Sequence, residues 1–287
     1  VLMNRKAIRS LALSTIRGTA LLAQLPPPGA PPQGGAAPGA PAQETADGNK
    51  IPAEKQPNPK SEKEYQAVVA MINAAQGGDR GQMINAADNL IKEFKDTEFK
   101  QLALEILTTA YQEQRDVPKM TVYAEMALKE NPKNYRVLLT MAKGIADGTK
   151  EFDLDRDEKL ARVEKLVSQA LDHLKDAPRP QEQITDDPWL MAKKDFESKA
   201  WEIRGMSAAV QKKYDEAITS YKKAIELSNN PDPVINLRLG DAYWQAKKYD
   251  ECVSFLDQTI AQYGSNPGVT DFANNRKKLC VEAKAKG

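Results

Sequence analysis

The chain has 287 residues, and 41% of them are hydrophobic, which is enough to build a folded body of one or two domains. Its 41 basic and 40 acidic residues give a net charge of +1, so nothing in the electrostatics favours a nucleic acid or an acidic membrane surface as partner. The sequence contains no run of eighteen consecutive apolar residues, and it therefore predicts no conventional membrane-spanning helix.

The N-terminal part differs in composition from the rest of the chain. Residues 1–23 have a basic start, an apolar middle and a small residue, Ala23, at their end. This order resembles a secretory signal peptide and predicts an exported protein, periplasmic or extracellular. Arg17 interrupts the apolar stretch, so a transit peptide and an ordinary disordered arm remain alternatives. Residues 24–60 hold ten of the eighteen prolines, and we expect them to form a disordered linker.

From Ser61 onward the apolar residues follow helical spacing, and the whole pattern recurs after about 35 residues. Gly205 and Gly240 are 35 residues apart, and so are Tyr214 and Tyr249. The two glycines would let the two helices of a hairpin approach closely. Neighbouring hairpins would bury the remaining apolar surface. The two clearest copies share further packing residues, which are Trp201, Ala217, Tyr221, Ala224 and Pro231 in one and Leu239, Tyr243, Cys252, Leu256 and Pro267 in the other.

These positions resemble the tetratricopeptide repeat (TPR) family, and together with the signal-like segment they resemble its exported bacterial members. The resemblance covers about residues 61–287 and implies an all-α solenoid of about five antiparallel helix pairs with a C-terminal capping helix. An insert at 148–157 separates the two helices of the third pair. We expect the cap to bury Phe272, Leu279 and Ala283 and to turn its polar residues to solvent. The expected pairs are 61–97, 98–134, 135–180, 187–231 and 232–267, followed by the cap at 268–287.

No catalytic or metal-binding pattern is convincing in this sequence. His173 is the only histidine, and the GxSxG, HExxH, P-loop and CxxC motifs are absent, so we expect neither an enzyme nor a cofactor. A calcium loop is approximated by the spacing of four acidic residues, but Glu158 stands where such a loop needs glycine. We therefore interpret these acidic residues as helix-capping groups rather than ligands. They are Asp153, Asp155, Asp157 and Glu164.

Cys252 and Cys280 are the only cysteines, and they lie at similar heights on two predicted antiparallel helices. They could form a disulfide if the chain is exported. The alternative is two packed free thiols, because Cys252 occupies the small buried position of its repeat.

The family resemblance also implies a function, since TPR proteins bind peptides or partner proteins in a concave groove lined by the first helix of each repeat. A clamp for a peptide C-terminus would need Lys and Asn at two of these places in one helix, and no helix has this pair. We expect Trp244 to be partly exposed, on an apolar floor with an acidic rim. The sequence thus predicts a protein-binding scaffold; a structural subunit built permanently into a larger assembly is the alternative. The groove positions are Glu105, Thr109, Lys143, Glu202, Met206, Leu237, Asp241 and Trp244.

Overall fold

The structure is a computed structural model that describes residues 51–181 and 184–286. In these residues the fold is all-α, and it confirms the predicted TPR-like solenoid of helix pairs. The signal-like segment 1–23 lies outside the described residues. Among residues 51–181 and 184–286, no helix has the length and apolar composition needed to cross a membrane. The helices are α1 (Glu62–Gly77), α2 (Arg80–Glu93), α3 (Lys100–Gln114), α4 (Val117–Glu130), α5 (Tyr135–Gly148), α6 (Arg156–Lys175), α7 (Asp186–Val210), α8 (Tyr214–Leu227), α9 (Pro233–Gln245), α10 (Tyr249–Tyr263) and α11 (Pro267–Lys286).

The chain divides into two compact units. The first extends to Thr140 and includes Asp176–Trp189, and the second consists of Met141–Lys175 and the chain from Leu190 onward. In the first unit α1 packs on α2, α2 on α3 and α3 on α4. In the second unit α8 packs on α9 and α9 on α10, while α11 packs on both α9 and α10. The last helix therefore takes the place that the first helix of a further pair would occupy.

Helix α1 shows how local sequence sets the ends of the helices. The Ser61 hydroxyl accepts a hydrogen bond from the Glu64 N–H at 3.2 Å, and the Glu64 carboxylate accepts one from the Lys60 N–H at 2.6 Å. The first bond satisfies a backbone donor that the first turn leaves without a helical partner, and the second fixes the residue that precedes the N-cap. Gly78 ends the helix with φ of 70°, a left-handed conformation that glycine adopts without steric cost.

Close helix contacts explain the small residues of the two clearest repeats. A Cβ atom placed on Gly205 would lie 2.5 Å from Cε1 of Tyr221, and one on Gly240 would meet Cδ2 of Leu256. The Tyr221 and Leu256 side chains are both buried. The paired helices therefore approach at distances that a larger residue at these places would not allow.

Residues 24–50 of the predicted linker lie outside the described residues, whereas residues 51–60 are attached to the first unit, contrary to the prediction. Ala53 forms an isolated β-bridge with Arg179. The Glu54 N–H donates to the Arg179 carbonyl at 2.7 Å, and the Arg179 N–H donates to the Pro52 carbonyl at the same distance. Nε of the buried Arg179 side chain donates to the Ile51 carbonyl at 2.6 Å. Proline removes donors but keeps its carbonyl acceptor, so a proline-rich segment still pairs with a partner that supplies N–H groups.

The C-terminal helix buries a different face from the one expected. Val269, Ala273 and Cys280 are buried, whereas Phe272 is 39% and Leu279 is 42% exposed. The expectation that Phe272 and Leu279 form the buried face was therefore wrong. Smaller residues line the buried face because α11 packs closely against two helices at once.

Candidate functional site

The two expected groove residues of the first unit are already engaged in the fold. Glu105 is half-buried and accepts a hydrogen bond from Nδ2 of Asn134 at 2.7 Å. Thr109 is buried, with 8% of its surface exposed. Thr109 therefore offers little surface to a partner, and its role in binding stays a prediction.

In the second unit, the expected residues belong largely to a network of ion pairs. Glu202 is only 5% exposed, and its Oε1 accepts a hydrogen bond from Nζ of Lys143 at 2.7 Å. Arg238 also forms an ion pair with Glu202, and its second guanidinium nitrogen lies 3.2 Å from Oδ1 of Asp147. These contacts join α5, α7 and α9. Buried charges require such partners, so the network serves first to hold the three helices together.

The ionisation of Glu202 follows from this arrangement. Burial alone would raise the pKa of its carboxyl group, but the positive charges of Lys143 and Arg238 outweigh burial and hold the pKa below its ordinary value. Glu202 is therefore ionised at neutral pH. Met206, one helical turn further along α7, is also buried. The sequence-based expectation that Glu202 and Met206 contribute to an exposed rim and floor is wrong, because both side chains are buried.

The C-terminal repeat presents a partly exposed aromatic cluster. Trp244 is half-buried, and the Arg276 guanidinium lies 4.3 Å from its ring centroid and 5.6 Å from that of Phe272. Arg276 also forms an ion pair with Asp241 at 2.5 Å. The half-buried Leu237 shares a face of α9 with Asp241 and Trp244, by helical spacing. We call Leu237, Asp241, Trp244, Phe272 and Arg276 the Trp244 cluster.

Burial raises the pKa of Asp241, while the charge of Arg276 opposes this effect. Arg276 thus neutralises the acidic group beside Trp244 and stacks on the aromatic ring itself. The charges of the predicted groove residues and their partners also balance, because three carboxylates form ion pairs with three cations. The expected acidic rim is therefore absent. The six residues are Asp147, Glu202, Asp241, Lys143, Arg238 and Arg276.

Sequence reasoning missed four residues of this face, although some signals were present. Asp147 follows Lys143 by four residues, and Arg276 follows Phe272 by four, so each pair shares a helix face. Arg238 adjoins Leu237, which was identified. A glutamate close to the helix packing surface also requires a cation nearby. The missed residues are Asp147, Arg238, Phe272 and Arg276.

The structure joins Cys252 and Cys280 by a disulfide, with the two Cα atoms 6.5 Å apart. Both residues are fully buried. The bond connects α10 to α11 and so fixes the helix that carries Phe272 and Arg276.

The acidic residues of the calcium-like pattern contact basic side chains of the chain itself. Nζ of Lys159 lies 3.0 Å from Oδ2 of Asp153 and 2.8 Å from Oδ1 of Asp155. Glu164 pairs instead with Arg204, at 2.7 Å. Within residues 51–181 and 184–286, no group of three or more His, Cys, Asp or Glu side chains is arranged to hold a metal ion.

Comparisons with known proteins agree with this architecture. A tetratricopeptide repeat family model matches residues 209–270. No curated protein matches the chain. The crystal structure of TTC0263, a thermophilic TPR protein in Thermus thermophilus, is 16% identical, covers 74% of this chain and 98% of its own, and has a TM-score of 0.50. The assembly chaperone of RpL4 (Acl4), residues 1–338, is 12% identical over 78% of this chain and 98% of its own, with a TM-score of 0.43. The first likeness shows the fold alone, and the second adds nothing to it.

Proposed function

We propose that this chain is a non-catalytic scaffold that binds a partner protein or peptide at the Trp244 cluster. The TPR-like fold supports a role in protein interaction. The observation that carries the proposal is the partly exposed Trp244, whose ring stacks with Arg276 beside the exposed Phe272. Tryptophan and arginine are the residues most often responsible for binding energy at protein interfaces.

The arrangement of the cluster favours a partner with apolar side chains. Glu202 and Asp241 are neutralised within the protein, so the face offers apolar contact area rather than net charge. The disulfide and the ion pairs hold α9 and α11 in place, which lowers the entropy cost of binding. We therefore expect bound segments to be recognised by large apolar residues that contact Trp244 and Phe272.

Peptide selection on the native, disulfide-bonded protein tests this proposal. Twelve-residue peptides selected from a random phage library should bind wild type and lose about thirtyfold in affinity for Trp244→Ala, which corresponds to about 2 kcal/mol. Trp201→Ala is the matched control, because Trp201 is also half-buried and also lies under an arginine, with Arg204 at 5.0 Å from its ring centroid. The proposal fails if Trp244→Ala leaves affinity unchanged, or if Trp201→Ala weakens binding equally.

We also propose that the protein is exported. The disulfide between Cys252 and Cys280 supports this location, because such bonds persist in oxidising compartments and are rare in the reducing cytosol. Fractionation of the host cells, with alkylation of free thiols before lysis, tests the proposal. Oxidised protein outside the cytosol is expected, and reduced protein confined to the cytosol would contradict it.

A further inference from the structure

The segment between α5 and α6 exposes two large apolar side chains. Phe152 is 87% exposed and Leu154 is fully exposed, at 107% of the reference area. The other exposed large apolar residues in the described part of the chain range from 39% to 56%. Leaving such side chains in water forgoes the stabilisation that burial would give. We call Thr149–Asp155, with these two side chains, the apolar knob.

The apolar knob is held in a defined conformation. The Thr149 hydroxyl donates to the Ile145 carbonyl at 2.7 Å, and the Lys150 N–H donates to the Asp153 carboxylate at 3.1 Å. Lys159 contacts Asp153 from the following helix, at 3.0 Å. The Lys150 N–H and Lys159 hold the pKa of Asp153 below its ordinary value. The hydrogen bonds and the ion pair of Asp153 therefore hold the segment in one conformation, while the side chains of Phe152 and Leu154 are exposed to solvent.

The apolar knob carries an excess of negative charge on the Leu154 side. Lys159 forms ion pairs with both Asp153 and Asp155, and the charge of Lys150 acts on Asp153 as well. The Asp155 side chain is 57% exposed, compared with 37% for that of Lys159, so the carboxylate lies on the outside. Any surface that receives Leu154 must therefore tolerate or neutralise a carboxylate.

The second unit also contains a surface of complementary chemistry. A shallow depression between α7, α8 and the start of α10 has two apolar lining residues, the half-buried Trp201 and the buried Ile218, and its other lining residues are polar or charged. Its edge carries three lysines and two acidic residues. Asp215 forms an ion pair with Lys248 at 2.6 Å, and Glu226 forms one with Lys223 at 3.1 Å. The third lysine, Lys222, leaves an excess of positive charge. We call this the basic-edged depression.

We infer that the apolar knob of one copy binds the basic-edged depression of a second copy of this chain. Phe152 and Leu154 would cover the apolar part of the depression, and the carboxylate of Asp155 would approach Lys222. A single contact of this kind is head-to-tail and leaves one free knob and one free depression on every pair. The surfaces are small, so the association is weak and concentration-dependent.

Sedimentation velocity of the purified full chain tests this inference first. The weight-average mass should rise by at least half between about 10 µM and about 500 µM protein, and high salt should reduce the rise. Phe152→Ser with Leu154→Ser should abolish it. The matched control is Val122→Ser with Met126→Ser, which removes two exposed apolar side chains from α4 and should leave the rise unchanged. A wild type that stays monomeric over this range overturns the inference, and so does a rise that the knob variant retains.

A mixing experiment distinguishes specific knob-to-depression binding from non-specific association. The depression variant, Thr219→Glu with Lys222→Glu, should not self-associate, because it adds negative charge where the carboxylate must approach. The knob variant keeps an intact depression, and the depression variant keeps an intact knob. Each should therefore be monomeric alone, and their mixture should form a one-to-one dimer that does not grow further. A mixture that stays monomeric, or one that forms larger species, contradicts head-to-tail pairing. Unchanged thermal melting of both variants confirms that they are folded.

Discussion

Replacing Gly205 by alanine tests whether close helix packing is the physical basis of the repeat. The new Cβ atom would lie 2.5 Å from Cε1 and 2.6 Å from Cδ1 of the Tyr221 ring. That ring is rigid and only 2% exposed, so it has no free space into which to retreat. Either α7 and α8 separate, or the tyrosine leaves its preferred rotamer.

The expected magnitude is the difference between two opposing effects. Overpacking of a dense core costs about 1–3 kcal/mol, whereas alanine in a helix interior is favoured over glycine by about 0.5–1 kcal/mol. Gly205→Ala should therefore lower the free energy of unfolding by about 0.5–2 kcal/mol. Gly77→Ala is the matched control, because a Cβ on Gly77 at the end of α1 meets no atom within 4 Å. That change should be neutral or stabilise by about 0.5 kcal/mol.

Urea unfolding followed by circular dichroism gives both values. A third pair of proteins isolates the contact: in a Tyr221→Ala background, Gly205→Ala should no longer destabilise, because the ring that it meets is gone. The reasoning is refuted if Gly205→Ala is as well tolerated as Gly77→Ala. It is equally refuted if the loss persists without the tyrosine ring.

Three other contacts lead to measurable outcomes. A protein starting at Ser61 should be about 1–3 kcal/mol less stable than one starting at Ile51, because Arg179 loses its backbone partners; equal melting temperatures would contradict this. Removing the disulfide with Cys280→Ala should cost about 3.5 kcal/mol for a separation of 28 residues, and reductant should destabilise wild type but not this variant. The pKa of Glu202 is lowered in the fold. Its ionised carboxylate therefore stabilises the folded state at neutral pH, and this stabilisation is lost as the pH falls below the unperturbed glutamate pKa of about 4.3. Glu202→Gln should flatten that part of the stability profile in urea titrations at several pH values, and an unchanged slope would exclude this role.

The order and limits of the helices could be read from the sequence because they depend on local signals. Ser61 and Gly78 mark the two ends of α1 through side-chain capping and a left-handed conformation. Gly205 and Gly240 recur because each must fit against a large side chain of its own pair. Such constraints act within about 35 residues, so they leave a repeating trace in the sequence.

The attachment of residues 51–60 could not be read in the same way. The composition of this segment indicates little apolar burial, but its attachment uses backbone carbonyls, which every residue type carries. The partner, Arg179, lies 128 residues from Ile51, and its burial depends on the surrounding chain rather than on its neighbours in sequence. Hydrogen bonds of this kind leave no periodic pattern.

The charged residues of the predicted groove show why family positions do not by themselves identify a binding surface. A position such as that of Glu202 can contact either a ligand or the next helix, and helix spacing decides between the two. Lys143 and Arg238 reach Glu202 from the helices on either side, so its charge is used within the fold. The pairing of charges continues at α11, where Arg276 forms an ion pair with Asp241 and also contacts the ring of Trp244. If a partner binds at the Trp244 cluster as proposed, it contacts aromatic and guanidinium surfaces that the ion pairs hold in position. Charge reversal at Glu202 should then affect binding chiefly by disturbing the fold.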